Sequence, residues 1–308
     1  MQVTKHSDVY KGIMGVAVAD AFGYPYQFRK RDTFTVKPEM IPTGEGRKTW
    51  LPAGCFSDDT SLTLATMDSI AENDGINLDE IMLNFCLWLK TGVFTPLGFS
   101  FDVGRGTAMS ISNYIDGMDV HSCGLRDYNS NGNGSLMRIL PLAYTDCTLE
   151  DIADVSGLTH AHGLAIQACQ IYIAIARKVL GGEGIASALR AVMSEYPYNT
   201  YETYKDLVNV GTYYRDDVKS TGFVVDTLYA AMWCLLRTDN YRDCVMYACD
   251  LGLDTDSIGA VAGGLAGIMY GVGGQRGIPQ SWIRSLKGRK TVIKTITSFE
   301  KYVNKLEK

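Results

Sequence analysis

Apolar residues recur along this chain every three to four positions, the period of a helix with one buried face. Ser7-Asp8 stands ahead of Val9, Ile13, Val16 and Ala17, which share such a face, and Gly23 followed by Pro25 predicts the stop. Asp20 projects near that end. Leu64, Met67 and Ala71 predict a helix ending near Asp74-Gly75, and Ile81, Met82, Phe85 and Leu89 predict another, stopped by Gly92. From Thr148 onward the pattern is helical almost without break. Thr148 with Asp151 resembles a capping box, 161–180 is a long apolar run, and 223–236 puts Val224, Leu228, Ala231 and Leu235 on one face. Gly259, Gly263, Gly267 and Gly271 then recur every four residues. They line a helix face with no side chain, so that a neighbouring backbone can approach closely despite glycine's poor helix propensity. No strand-rich region competes. About a dozen helices of ordinary length fill the chain, which predicts an all-α fold, one multi-helix domain over 1–308.

The stretch 29–54 breaks the pattern. It mixes charge with Pro38, Pro42, Pro52 and Gly44-Glu45-Gly46, and it reads as a long surface loop. Composition then narrows the class. A hydrophobic fraction of 46% over 308 residues is enough for a substantial core. A net charge of −5 with no basic stripe argues against a nucleic-acid or anionic-membrane surface. The first residues lack the apolar segment of a secretory signal, so a cytoplasmic location is expected. The longest uncharged stretch, 257–275, holds seven glycines and reads as a buried core helix rather than a membrane span. Eight cysteines without a CxxC pair read as reduced, structural residues.

Chemistry concentrates in two distant acidic clusters, Ser57-Asp58-Asp59 and Asp254-Thr255-Asp256-Ser257, each directly ahead of an apolar helical run. Ser, Thr and Asp are preferred helix N-caps, and the positive end of the helix dipole welcomes carboxylates. One carboxylate satisfies a cap. The second is surplus and repels its neighbour unless a cation sits between them, so the two clusters are expected to meet around Mg²⁺ or Mn²⁺, hard ions suited to all-oxygen donors. The segment Phe101-Asp102-Val103-Gly104-Arg105-Gly106-Thr107 lacks the third glycine and the preceding strand of a dinucleotide turn. Asn129-Ser130-Asn131-Gly132-Asn133-Gly134-Ser135 permits close approach of main-chain N–H groups to an anion, or forms a plain flexible turn. His160 and His162 do not have the i, i+4 spacing of a helical zinc site, and a histidine at a helix start is the simpler reading of that pair.

Taken in order, Gly15-Val-Ala-Val-Ala-Asp20-Ala-Phe-Gly23, Ser57-Asp58-Asp59, Asp102-Val-Gly104, Gly132-Asn-Gly134-Ser-Leu-Met-Arg138, Thr159-His160, Ser220-Thr-Gly-Phe223-Val-Val-Asp226 and Leu253-Asp254-Thr-Asp256-Ser257 resemble the ADP-ribosylglycohydrolase family nearly end to end. The resemblance implies an all-helical hydrolase with two divalent cations, Mg²⁺ or Mn²⁺, that cleaves the glycosidic bond joining ADP-ribose to a protein side chain. It implies metal ligation by Ser57, Asp58, Asp59, Asp254, Asp256 and Ser257, with Ser at two positions where the family more often has Thr. It implies an acid/base role for Asp102, for which an N-cap is the alternative. Gly104, Ser130, Asn131, Gly132, Asn133, Gly134, Ser135 and His160 match segments that hold the diphosphate and ribose, and Phe223 matches a position that stacks on adenine. One departure stands out. Many members carry a glutamate where this chain has Gln27, which cannot accept a proton. That leaves open an ADP-ribose-binding protein without turnover, or a metal-dependent phosphoesterase, beside the glycohydrolase.

Overall fold

Side-chain caps set the starts of six α-helices among the described residues. In a computed structural model that describes residues 6–44, 50–195 and 201–306, Ser7 caps α1 (Asp8–Gly23) by accepting from the Tyr10 N–H. Ser57 caps α2 (Asp58–Glu72), and Asn77 caps α3 (Leu78–Thr91), which ends on Gly92 at φ 74°. After α4 (Arg105–Ile115), the Thr148–Asp151 capping box starts α5 (Leu149–Gly157). Then come α6 (Gly163–Leu180), α7 (Ile185–Ser194), α8 (Val224–Arg237), α9 (Tyr241–Asp250), α10 (Thr255–Tyr270), α11 (Gln280–Ser285) and α12 (Arg289–Leu306). Among the described residues there are twelve α-helices and no strand, the all-α architecture expected from periodicity. Residues 30–44 and 50–57 form no helix, in keeping with the long loop; Glu45 and Gly46 lie outside the described residues, as does the 1–5 segment.

The glycine repeat explains how the core is assembled. α10 lies against α1 so closely that a Cβ at Gly15 would sit 2.3 Å from the Gly263 carbonyl oxygen, and one at Gly267 would sit 2.2 Å from the Lys11 carbonyl. No side chain fits there, so the two backbones touch. Each interior glycine costs a helix about 1 kcal/mol relative to alanine, and the dense backbone contact offsets it. Gly271 does something different: at φ 69° it ends α10. α10 is buried along nearly its whole length, and α2, α6, α8 and α9 surround it and α1. The apolar α6, long enough by composition to cross a membrane, has most of its residues inside this core. All eight cysteines are unpaired and seven are buried, as the absence of CxxC suggested.

Packing α1 against α10 has one consequence for chemistry. The C-terminal end of α1 lies beside the N-terminus of α10, where Gly23 approaches the Thr255 carbonyl and the Thr255 hydroxyl donates to the Gly23 carbonyl at 2.9 Å. The second acidic cluster is thereby pinned to the residues that lead into Gln27.

Candidate active site

The first acidic cluster opens α2 and the second opens α10, and the two meet. The Ser257 hydroxyl donates to Asp59 Oδ2 at 3.3 Å, and the Ser57 hydroxyl donates to the same oxygen at 3.0 Å. Capping accounts for Ser57 alone, whose Oγ accepts from the Asp59 N–H. Asp254 occupies the N-cap position of α10, yet its side chain makes no cap hydrogen bond; it accepts instead from Asn133 Nδ2 at 2.5 Å. Asp59 Oδ1 and Asp256 Oδ2 are buried with no hydrogen-bond partner among the described residues. Asp58, Asp59, Asp254 and Asp256 have no Lys, Arg or His at ion-pair distance among the described residues.

Burial and crowding of the carboxylates have the expected electrostatic result. Desolvation first, and then mutual repulsion, pushes the Asp58, Asp59 and Asp256 carboxyls well above the usual range. Desolvation raises Asp254 to about 6, against the lowering effect of Asn133. Orphaned acceptors and crowded like charges are costly in a native fold unless something positive satisfies them.

These carboxylates form one end of a cavity of about 730 Å³. Its wall includes Gln27, Asp58, Asp59, Asp102, Gly104, Ser130, Gly132, Asn133, Gly134, His160, Asp254 and Ser257, so residues spread over 230 positions of sequence share one space. Ser57 and Asp256 are buried outside that wall. Ser135 turns into the core, where it accepts from Ser156 at 2.9 Å, and Asn131 donates to the Tyr128 carbonyl. Phe223 is half-buried and off the cavity wall, 6.4 Å from the Tyr128 ring.

The local backbone explains how the wall is built. The glycine-asparagine stretch is no flexible turn: the Asn133 N–H donates to the Gly222 carbonyl and the Val224 N–H to the Asn131 carbonyl, tying it to the start of α8. Asp102 does not cap α4. Gly104 holds that position, and Asp102 sits two residues earlier at φ 56°. There Gln27 Nε2 donates to Asp102 Oδ2 at 2.6 Å, and the Gln27 amide also hydrogen-bonds Asp254. Phe28 and Leu253 are left-handed too, at 64° and 58°, joined by a bond from the Phe28 N–H to the Leu253 carbonyl at 2.6 Å. Such strained residues cost of order 1–3 kcal/mol each and cluster at functional sites. The helix-start histidine is His162, whose Nδ1 accepts from the Leu164 N–H, whereas His160 faces the cavity.

Sequence reading missed Asp20. Its carboxylate accepts from the Ser57 N–H, the Thr60 N–H and the Thr60 hydroxyl, holding the start of α2 in place. The signal was a lone charge in the apolar stretch from Gly12 to Gly23. Phe28, Arg105 and Asp127, which also line the cavity, carried no such signal.

Known proteins resemble this chain in sequence and in fold. The chain is 30% identical over 287 residues to an ADP-ribosylarginine hydrolase of Pseudomonas putida, covering 89% of this chain and 72% of that protein. It is 29% identical over 298 residues to the ADP-ribosyl-[dinitrogen reductase] glycohydrolase of Rhodospirillum rubrum, covering 91% and 90%. A solved structure described as an ADP-ribosylglycohydrolase-related protein complex superposes with a TM-score of 0.80 at 25% identity, over 96% of this chain and 98% of that one. The sequence profile of the ADP-ribosylglycohydrolases matches residues 1–307. That match spans both acidic clusters and the glycine-asparagine loop, and the chain belongs to the ADP-ribosylglycohydrolase family.

Proposed function

We propose that this protein is a metal-dependent hydrolase that removes ADP-ribose from an arginine side chain of a modified protein. The observation that carries the reading is the convergence of two acidic clusters, Asp102 and the glycine-asparagine loop on one cavity, whose volume lies in the range of small-molecule sites. The name of the Pseudomonas relative supports arginine as the acceptor. So do Asp102 and Asp127 on the cavity wall, carboxylates outside both acidic clusters that favour a cationic guanidine over a neutral leaving group.

The residues fit a pair of divalent cations. Asp59 Oδ1 and Asp256 Oδ2 are buried acceptors without donors, and Ser57, Asp58, Asp59, Asp254, Asp256 and Ser257 supply only hard oxygen. Donors of that kind suit Mg²⁺ or Mn²⁺, which keep water ligands, better than a structural zinc, and among the described residues no three His, Cys, Asp or Glu side chains are spaced to close on one ion by themselves. Bound there, the cations would supply positive charge and lower the pKa of water.

Hydrolysis breaks the bond between the anomeric carbon and the guanidine nitrogen, places a water hydroxyl on that carbon and returns a proton to the nitrogen. Asp102 and Asp127 face the cavity from outside both clusters; Asp102 is the one held beside Asp254 by the Gln27 amide, and it moves that proton. Gln27 holds Asp102 by its amide, a task that needs no titration. This hydrogen bond favours the enzyme over the binding-only reading of Gln27.

Incubation with arginine-linked and serine-linked ADP-ribose, with Mg²⁺ or Mn²⁺ and then with chelator, tests the proposal. Free ADP-ribose released from the arginine conjugate, and lost in chelator, is expected. AMP as product points to a phosphoesterase, and unchanged conjugate points to a binder; either outcome overturns the reading.

A further inference from the structure

Arg138 is wholly buried and has no carboxylate partner among the described residues, although an arginine is always charged under ordinary conditions. Its guanidinium lies over the Phe85 ring at 4.8 Å, and Nε and Nη1 have no hydrogen-bond partner. A buried cation so poorly satisfied calls for a reason. Nη2 supplies one, donating to the Val155 carbonyl at 3.0 Å and to Thr159 Oγ1 at 2.9 Å. Thr159 Oγ1 in turn lies 2.9 Å from His160 Nδ1.

Donor counting orients this chain. Arginine only donates, so the Thr159 oxygen accepts from it, and the hydroxyl still has one proton to give. Thr159 is fully buried, and among the described residues His160 Nδ1 is the one acceptor its hydroxyl reaches. With Nδ1 accepting, the ring proton is on Nε2. That atom has no protein partner among the described residues, and the ring is 4% exposed while lining the cavity. Three glycines close around it: a Cβ at Gly106, Gly132 or Gly134 would lie 3.1, 3.3 or 2.7 Å from ring atoms. The imidazole is therefore held by backbone on the cavity side and by Thr159 behind.

We propose that Arg138 and Thr159 are positioning residues that lock His160 as the neutral Nε2–H tautomer, giving the cavity one fixed hydrogen-bond donor for an oxygen of the ligand, a phosphate or ribose oxygen. Desolvation, then the nearby Arg138 cation, lowers His160 to about 3, in keeping with a ring that does not charge. The choice of ligand rests on the ADP-ribose reading above; the tautomer does not.

The test uses the full-length protein with ¹⁵N-labelled histidine and long-range ¹H–¹⁵N correlation at pH 7, with His160→Gln identifying the signal among the four histidines. The native ring is expected as Nε2–H. Thr159→Val, close in shape but without the hydroxyl, is expected to shift the ring toward Nδ1–H and to weaken ADP-ribose binding about tenfold, the scale of one lost hydrogen bond. Thr159→Ser is expected to restore both, which a packing role for the threonine methyl would not do. A native ring found as Nδ1–H or doubly protonated overturns the proposal on its own, even if Thr159→Val does not fold. Unchanged tautomer and affinity in Thr159→Val overturn it as well. A native Nε2–H ring in a protein that does not bind ADP-ribose overturns the choice of ligand and thereby the functional reading, while the relay itself stands.

Discussion

One helix carries two opposite kinds of buried contact. The middle of α10, where Gly263 and Gly267 meet α1, is uncharged, densely packed and complete in itself. Its first turn, with Asp256 and Ser257, joins Asp59 in a crowd of carboxylates whose pKa values burial and repulsion push upward. The seam lowers the free energy of the fold; the crowded acidic end raises it. Sites of function are where a protein departs from local consistency, and here the departure is anchored one or two helical turns from the close backbone contact of Gly15 and Gly263. Asp20 links the two, since it lies one turn beyond Gly15 on α1 and holds the start of α2.

The sharpest way to break the comparison is at the seam. Gly263→Leu adds a side chain where a Cβ alone would lie 2.4 Å from the Ala19 Cβ and 2.8 Å from the Gly15 carbonyl. A loss of more than about 4 kcal/mol in urea unfolding, or no folded protein at all, is expected.

Changes at the acidic end act in the other direction. Asp256→Asn is expected to lose most turnover and weaken Mg²⁺ or Mn²⁺ binding by calorimetry, yet to melt about 2 °C or more above the native protein in chelator, because one repelling charge is gone. A lower melting temperature in chelator would mean that the carboxylates are not mutually strained. Asp102→Asn should reduce the rate by about 10²–10⁴ with an unchanged circular dichroism spectrum, the usual share of a general acid or base.

His160 gives a smaller, pH-dependent effect. Its ring is held at about 3 in the fold and returns to about 6.5 on unfolding, so the unfolded chain binds more protons between those values. Stability from this group is full above about 6.5 and is lost as pH falls toward 3. Relative to His160→Gln, the native protein should lose about 2 kcal/mol between pH 7.5 and pH 5, read by urea denaturation. The smallest change expected is Gln27→Ala, which removes the donor to Asp102 and should slow turnover only modestly. Gain of a much faster rate in Gln27→Glu from an inactive native protein would instead favour the binding-only reading.

The repeats and caps were legible in the sequence because they act locally. A helix period, a capping box at Thr148 and Asp151 or a glycine every fourth residue is encoded within one or two turns, and the structure bears out the box and the glycine face at Gly259, Gly263 and Gly267, while Gly271 ends the helix. The surplus carboxylates were also visible, since no helix N-terminus needs two. What sequence could not decide was direction. Ser135 and Gly134 are adjacent, yet one faces the core and the other His160. The helix-start reading of the pair His160 and His162 holds for His162 alone, for the same reason: which ring caps α6 depends on backbone pairing of Leu125 with 159–161. Only the tertiary structure brings Arg138 behind Thr159, or the Gln27 amide onto Asp102, because those contacts cross 21 and 75 residues of chain and depend on how helices pack. Local order is set by bonds that close within a few residues. The chemistry of the cavity is set by burial, and burial belongs to the whole fold.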